Sequence, residues 1–225
     1  MNIINKAEKY AKEYMSKYDD SHNFDHALRV KSLATKIAVS EGLNNNEIFE
    51  IIIASILHDI NDHKYSNNNM SQKETLMIFF NSIKDELNEN TINRIIYLAC
   101  NISLSKELSK DNNDNNDNND NNDNNDNNDN NDNNHSILEK QLNCIRDADR
   151  IESLGALGIS RYFTYGIINK KSNIDGIIKN IEHRTAILLN HIKTDMGKKI
   201  SAKKYIIIKS FIDDYYNSIH NYQNY

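Results

Sequence analysis

Proline is absent from the 225 residues, and only six glycines and two cysteines occur. Proline alone makes up about 5 per cent of an ordinary globular chain. Sandwiches and barrels depend on glycine- and proline-rich turns, so this scarcity points to helices. Cys100 and Cys144 make no disulfide framework; both stand among apolar residues and read as small core side chains. No run approaches the roughly 18 to 20 consecutive apolar residues of a membrane span. The opening Met1-Asn2-Ile3-Ile4-Asn5-Lys6 resembles neither a secretory signal nor an Arg-rich transit segment. The expectation is a soluble protein of a reducing, cytoplasmic compartment, without a membrane partner.

One stretch lacks apolar side chains entirely. Residues 111–134 are eight uninterrupted copies of Asp-Asn-Asn. Such a segment buries nothing to offset the entropy of ordering it, so a disordered loop is expected there. Weak calcium binding is a rival reading, but the spacing lacks the glycine turn and terminal Glu of an EF-hand loop. Asn-rich aggregation is another, opposed by a charge at every third position. Without the tract, 201 residues remain, enough for one sizeable core, read as a single domain over 1–110 and 135–225. The tract holds 8 of the 32 acids and no base, so its removal takes the formal charge from -5 to +3. A mildly basic body suits a small phosphorylated molecule and is far from the dense stripe of a nucleic-acid binder.

Apolar residues recur at helical spacing through nearly all of the rest. A first helix is expected from Ile3 to Tyr18, a second from about Asp25 to Glu41, and a third from near Asn46 to the His58-Asp59 pair. Ser71-Gln72-Lys73-Glu74 is a capping-box pattern for a fourth, reaching about Leu87. A fifth spans about Asn90 to Ile102. Periodicity resumes at Ile137 and continues to Phe163, and two more helices run from about Ile174 to His191 and Ala202 to Asn221. The fold class is all-α, with about eight helices.

What is there in abundance is metal-binding chemistry at helix ends. Ser55-Ile56-Leu57-His58-Asp59-Ile60-Asn61-Asp62-His63-Lys64 turns from an apolar helix into two imidazoles, two carboxylates and an ammonium. Such groups are costly beside a core unless something pairs them, and a divalent cation is the simplest partner. A polar helix end with solvated side chains is the plainer alternative. His26, at the start of the second helix, and Asp149, in Arg146-Asp147-Ala148-Asp149-Arg150-Ile151, complete a set of four with His58 and Asp59. Two imidazole nitrogens and two carboxylate oxygens suit a borderline or hard ion with open positions. His58 and Asp59 point about 100° apart on a regular helix, so they share an ion only near a helix end. Asp147 would face away from an ion held by Asp149.

The ordered set His26, His58-Asp59, Asp149 resembles the signature of the HD-domain superfamily of metal-dependent phosphohydrolases, in its small single-domain members. The flanks resemble it too: Ser21-His22 with His26 and Arg29-Val30, Leu57 to Tyr65, and Asp147 to Ile151 with Gly155-Ala156-Leu157-Gly158. So do Ile102 to Glu107 and the stretch around Lys193-Thr194 and Gly197-Lys198-Lys199. The resemblance implies an all-α fold presenting His26, His58, Asp59 and Asp149 to one divalent ion, manganese foremost, with magnesium, cobalt, nickel or iron as others. It implies hydrolysis of a phosphate ester or anhydride by a metal-activated water, on a nucleoside triphosphate or monophosphate. Asp62 stands where family members often carry an acid that orients the water or moves a proton, and Asp59 would share in the catalytic work. Lys64 and Arg150 are candidate phosphate clamps, either of which reads equally as a surface or ion-paired base. His22 and His63 are candidate substrate contacts or parts of a second metal site, with surface-loop histidines as the alternative.

Two other functions stay open at this level. One is a non-catalytic metal-binding regulatory or interaction module, against which the intact ligand set argues. The other is a cyclic-nucleotide or alarmone hydrolase, for which further metal-binding histidines or longer flanking motifs would be expected. The partner is a small phosphorylated substrate rather than polymeric nucleic acid, with room left for a homodimer.

Overall fold

A computed structural model describes residues 2–18, 23–61, 70–108 and 129–222. With no proline to punctuate the chain, asparagine starts much of it. Helix α1 (Ile3–Tyr14) is capped by Asn2, α2 (Phe24–Ser40) by Asn23, and α3 (Asn45–Leu57) by Asn44. The Ser71–Glu74 capping box opens α4 (Gln72–Asn81), and Asn88 caps α5 (Glu89–Cys100). Helices α6 (Asp129–Glu152) and α7 (Gly155–Ile168) follow, then α8 (Ile174–Asn190), capped by Asn173, and α9 (Asp195–Tyr222). In each asparagine cap the side-chain oxygen accepts a backbone N–H of the first turn, worth about 1 kcal/mol relative to alanine. Among the described residues every regular element is helical, as the sequence predicts, with a further helical segment at 104–108. None of these helices is long and apolar enough to cross a membrane.

Helix α3 is the centre of the structure. Glu50, Ile51, Ile53, Ala54, Ser55, Ile56 and Leu57 are all buried, covering nearly the full circumference of its second half. It packs against α1, α2, α5 and α6. Val30, Ala34 and Ile37 of α2 join it in the main core with Leu142, Ile145 and Ala148 of α6. A second cluster gathers Leu154, Ile177, Ile178, Ile181, Leu188 and Ile208 under α7, α8 and α9. The chain that emerges from α3 therefore does so in the interior, and whatever follows Leu57 is placed by the core.

Several boundaries differ from the periodicity. The first helix ends at Tyr14 and tightens into a 3₁₀ turn over Met15–Lys17. Helix α4 stops at Asn81 rather than near Leu87, because the Ser82 hydroxyl donates to the Phe79 carbonyl and the chain continues as tight turns. The stretch from 137 to 163 is two helices, divided at Ser153-Leu154 by a turn that Gly155 leaves with φ +74°. Helix α6 reaches back to Asp129, so the last two Asp-Asn-Asn copies are helical where a loop was expected; propagation from an established helix needs far less intrinsic propensity than nucleation. Residues 109–128 lie outside the described residues.

Helix α9 starts seven positions earlier than its apolar pattern suggests, for a reason 47 residues upstream. The buried Asp147 carboxylate accepts the Lys193 amide (3.0 Å), the Thr194 amide (2.7 Å) and the Thr194 hydroxyl (2.7 Å). Thr194 in turn accepts the Gly197 amide at 3.0 Å, as an N-cap does. A side chain at Gly197 would meet Asp147 Oδ2 at 2.5 Å, so the anchor requires glycine there.

A second long-range tie is ionic. Glu107, 8% exposed, accepts from the Arg150 guanidinium and lies 3.3 Å from Lys193 Nζ and 3.7 Å from Arg146 Nε. It joins the 104–108 segment, α6 and the approach to α9. Burial by itself would raise the Glu107 carboxyl, but Arg150, Arg146 and Lys193 outweigh it and hold the group below its ordinary range. A depressed carboxyl contributes stability in full above its unfolded pKa and loses it as pH falls through the folded value. Glu107→Gln is expected to destabilise by about 3 kcal/mol at neutral pH, since it strands buried cations. Its melting-temperature deficit should begin to shrink below about pH 4.3, where the carboxyl of the unfolded chain starts to protonate, and vanish once the native group protonates as well. A pH-independent deficit would mean that packing, not charge, is what Glu107 supplies.

Candidate metal centre

The first ligand position is set by a cap. Asn23 Oδ1 accepts the His26 amide at 3.2 Å, which makes His26 the third residue of α2 and turns it toward the core with Ala27 and Val30. His26 is 1% exposed. From the other side comes Asp149, one turn before the end of α6, with its carboxylate partly open to solvent.

The second and third positions lie where α3 stops. Leu57 is its last residue, His58 caps it, and Asp59 and Ile60 continue in a turn. Leaving the helix here lets adjacent side chains converge. Asn61 sits at φ +56°, a left-handed conformation that asparagine tolerates better than most residues. Its amide donates to the Met70 carbonyl (2.8 Å) and to Thr75 Oγ1 (3.0 Å), while Tyr14 donates to its oxygen at 3.0 Å. The Tyr18 hydroxyl donates to the Asp59 carbonyl at 3.3 Å, and Gln72 donates to that of His58. The turn is thus held from α1 and α4 at once.

These elements bring four donors together. His26 Nε2 lies 3.3 Å from Asp149 Oδ1 and 3.5 Å from Asp59 Oδ2. His58 Nε2 lies 3.3 Å from Asp59 Oδ1 and 3.8 Å from Asp149 Oδ1. The two rings meet edge to face with centroids 5.4 Å apart. Metal bonds of about 2.1 Å place neighbouring donors about 3.0 Å apart on an octahedron and about 3.4 Å on a tetrahedron. The imidazole–carboxylate distances of 3.3 to 3.8 Å are all wider than the first and bracket the second. A divalent ion fits with a small contraction.

The tautomer of His58 supports the fit. Its Nδ1 is 2.8 Å from the Ser55 carbonyl, which only accepts, so Nδ1 carries the hydrogen. In the neutral ring Nε2 is then a lone pair, buried and without a hydrogen bond, facing the carboxylates. A buried lone pair among carboxylates calls for a cation. The acid–base balance says the same. Burial presses the His26 imidazole down, but Asp149, Glu152 and Asp59 more than reverse this and hold it above its ordinary range, against Arg161. Burial raises Asp149, yet His26, His58 and Arg161 hold its carboxyl well below the usual carboxylate range. The site stabilises positive charge at its centre.

Other residues singled out in the sequence fall differently. Arg150 is no phosphate clamp: it is 2% exposed, with its guanidinium engaged by Glu107 and the His191 carbonyl. Helical rotation carries it away from Asp149, its neighbour. Asp147 likewise faces the α9 anchor rather than the ion site. Asp62, His63, Lys64 and His22 lie outside the described residues. Three residues at the cluster escaped the sequence reading. Glu152 places Oε2 3.9 Å from His26 Nδ1 and receives Arg29 Nε at 2.7 Å. Arg161 of α7, half-buried, bears electrostatically on both His26 and Asp149. The spacing His26–Arg29 and Asp149–Glu152, three residues each on one helical face, was a usable signal for the first two. Nothing local marks Arg161.

The all-helical scaffold thus brings two histidines and two carboxylates together near its middle. No family model matches the chain. An uncharacterized protein of Acanthamoeba polyphaga mimivirus is 25% identical over 175 residues, which are 73% of this chain and 62% of that relative; the chain thus spans less than two thirds of the relative's length. YpgQ of Bacillus subtilis, solved in complex with ADP, superposes with a TM-score of 0.67 at 16% identity, over 96% of this chain and 94% of that one. An HD-superfamily hydrolase of Bacillus thuringiensis gives 0.65 at 18% identity, over 96% of each chain. The fold is that of the HD-superfamily hydrolases.

The site predicts its own response to metal. Adding manganese should raise the melting temperature, by an amount equivalent to about 2.7 kcal/mol at a free ion concentration a hundredfold above Kd. His58→Ala should keep its helical circular dichroism and lose that rise. An equal rise in both proteins would place the ion elsewhere.

Proposed function

We propose that this chain is a metal-dependent phosphohydrolase acting on a nucleotide. The observation that carries the reading is the convergence of His26, His58, Asp59 and Asp149, with the His58 Nε2 lone pair turned into the cluster. It stands on the fold of HD-superfamily hydrolases, and the ADP bound by the Bacillus subtilis neighbour supports a nucleotide as the substrate class. A divalent ion, manganese first among the candidates, supplies Lewis acidity toward a phosphoryl oxygen and a water of lowered pKa when bound.

The chain's own residues supply the rest. His26, His58, Asp59 and Asp149 hold the ion. The buried Ile56, Leu57 and Ile60 beside the turn keep water from one side of the cluster, which strengthens every charge interaction within it. Arg161 is the cation we assign to the substrate phosphate, since its charge already acts on Asp149 and His26. Asp62, three residues beyond Asp59, takes the role of orienting the attacking water and receiving its proton. Phosphoryl transfer needs this positioning and charge stabilisation more than covalent chemistry.

The test is a screen of purified protein with manganese, magnesium, cobalt and nickel against nucleoside mono-, di- and triphosphates, separating phosphate from pyrophosphate release. Turnover should require metal and disappear in Asp59→Ala with the helical fold retained. No turnover on any nucleotide despite bound metal would overturn the nucleotide assignment. Arg161→Ala should lower kcat/KM ten- to a hundredfold, about 1.4 to 2.7 kcal/mol, with metal affinity unchanged. Unchanged kcat/KM would remove Arg161 from the substrate site.

A further inference from the structure

The two imidazoles are held from behind in different ways. His58 has a neutral partner of its own helix, the Ser55 carbonyl, at 2.8 Å from Nδ1. His26 has a charged one from another helix. Glu152, 5% exposed, faces His26 Nδ1 from 3.9 Å, on the side of the ring opposite Asp149. The same Glu152 oxygen accepts Arg29 Nε at 2.7 Å. Arg29 stands one turn after His26 on α2, and Glu152 stands one turn after Asp149 on α6. The result is a four-residue ladder between two helices, with His26 facing Asp149 on one rung and Arg29 facing Glu152 on the next.

A ligand imidazole must offer a lone pair to the ion and therefore keep its hydrogen on the other nitrogen, which needs an acceptor when the ring is buried. At 3.9 Å the Glu152 oxygen is beyond hydrogen-bond length, which ends at about 3.2 Å, and a small shift of the ring toward it closes the gap. Arg29 fixes where that oxygen can be. Its own side chain is 36% exposed whereas that of Glu152 is 7%, so the carboxylate is the buried end of the pair and the one turned to the ring.

We propose that Glu152, steadied by Arg29, is the positioning residue of this centre: it holds the hydrogen of His26 on Nδ1 and so directs the Nε2 lone pair at the ion. The inference rests on the metal-centre reading and needs no particular substrate. Replacement of such a partner weakens metal affinity ten- to a hundredfold. Glu152→Ala should show that loss in a manganese titration followed by calorimetry, and Glu152→Gln, which keeps an acceptor, should recover most of it.

The deciding readout is the imidazole nitrogen spectrum of the metal-free protein, taken near about pH 9, where imidazoles are neutral. In the wild type His26 should carry its hydrogen on Nδ1. In Glu152→Ala the His26 signals should move toward the other tautomer while those of His58, held by Ser55, stay in place. If both histidines move, the change is general loosening and the proposal fails; if neither moves, it fails as well. Should Glu152→Ala not fold, Glu152→Gln and Arg29→Ala give the same comparison, with His26 alone moving in Arg29→Ala. A wild type that binds metal but hydrolyses nothing would sink the proposed function and leave this result standing.

Discussion

Two buried imidazoles, each with an oxygen of both Asp59 and Asp149 within 4 Å of its Nε2, form an arrangement that neither set would adopt alone. Carboxylates so close repel, and buried imidazoles resist protonation. What makes the cluster tolerable is that each group has something behind it. Ser55 holds His58, a ladder partner faces His26, Tyr14 of α1, Tyr18 just beyond it and Gln72 of α4 hold the turn around Asp59, and α6 carries Asp149 on a rigid backbone. The carboxylates of Asp149, Glu152 and Asp59 around it hold His26 above its ordinary range, so the cluster favours positive charge. Metal and protons then compete for one centre, and metal binding releases protons.

The rest of the fold serves that convergence. Helix α3 is buried nearly all round, so the backbone leaving it has one exit, and Asn61 turns it there with a left-handed residue. Helix α6 is fixed twice near its ligand, by Asp147 to α9 and by Arg146 and Arg150 to Glu107. Three polar positions within four residues, Asp147, Asp149 and Arg150, point to three destinations because the helix turns by about 100° at each step. The ligand between the two ties can hardly drift.

The four residues that converge were legible in the sequence because they sit near helix ends, where periodicity stops and polar residues interrupt an apolar run. The all-helical class was legible from missing proline and from spacing, and Ser71–Glu74 announced its own helix. What was not legible depended on partners far along the chain. Arg150 read equally as a phosphate clamp or an ion-paired base because its acceptor, Glu107, is 43 residues away, and burial of a cation is decided by such a partner. The start of α9 was missed because Thr194 is anchored by Asp147, beyond any local window. Glu152 and Arg29 each stand one turn from a candidate ligand, a local sign, but that they pair with each other across 123 residues is not written in either segment.

Helix α6 begins inside the Asp-Asn-Asn tract and ends at the ligands, and this has a genetic consequence. Tandem repeats gain and lose copies by slippage during replication, and each such event here leaves the reading frame intact. The helix from Asp129, inside the repeat, to Asp149 is a rod about 30 Å long. A change in copy number enters at the far end of that rod, while the caps and ties that place Asp149 all lie at the near end. A copy gained or lost in the tract therefore enters about 30 Å of helix away from Asp149.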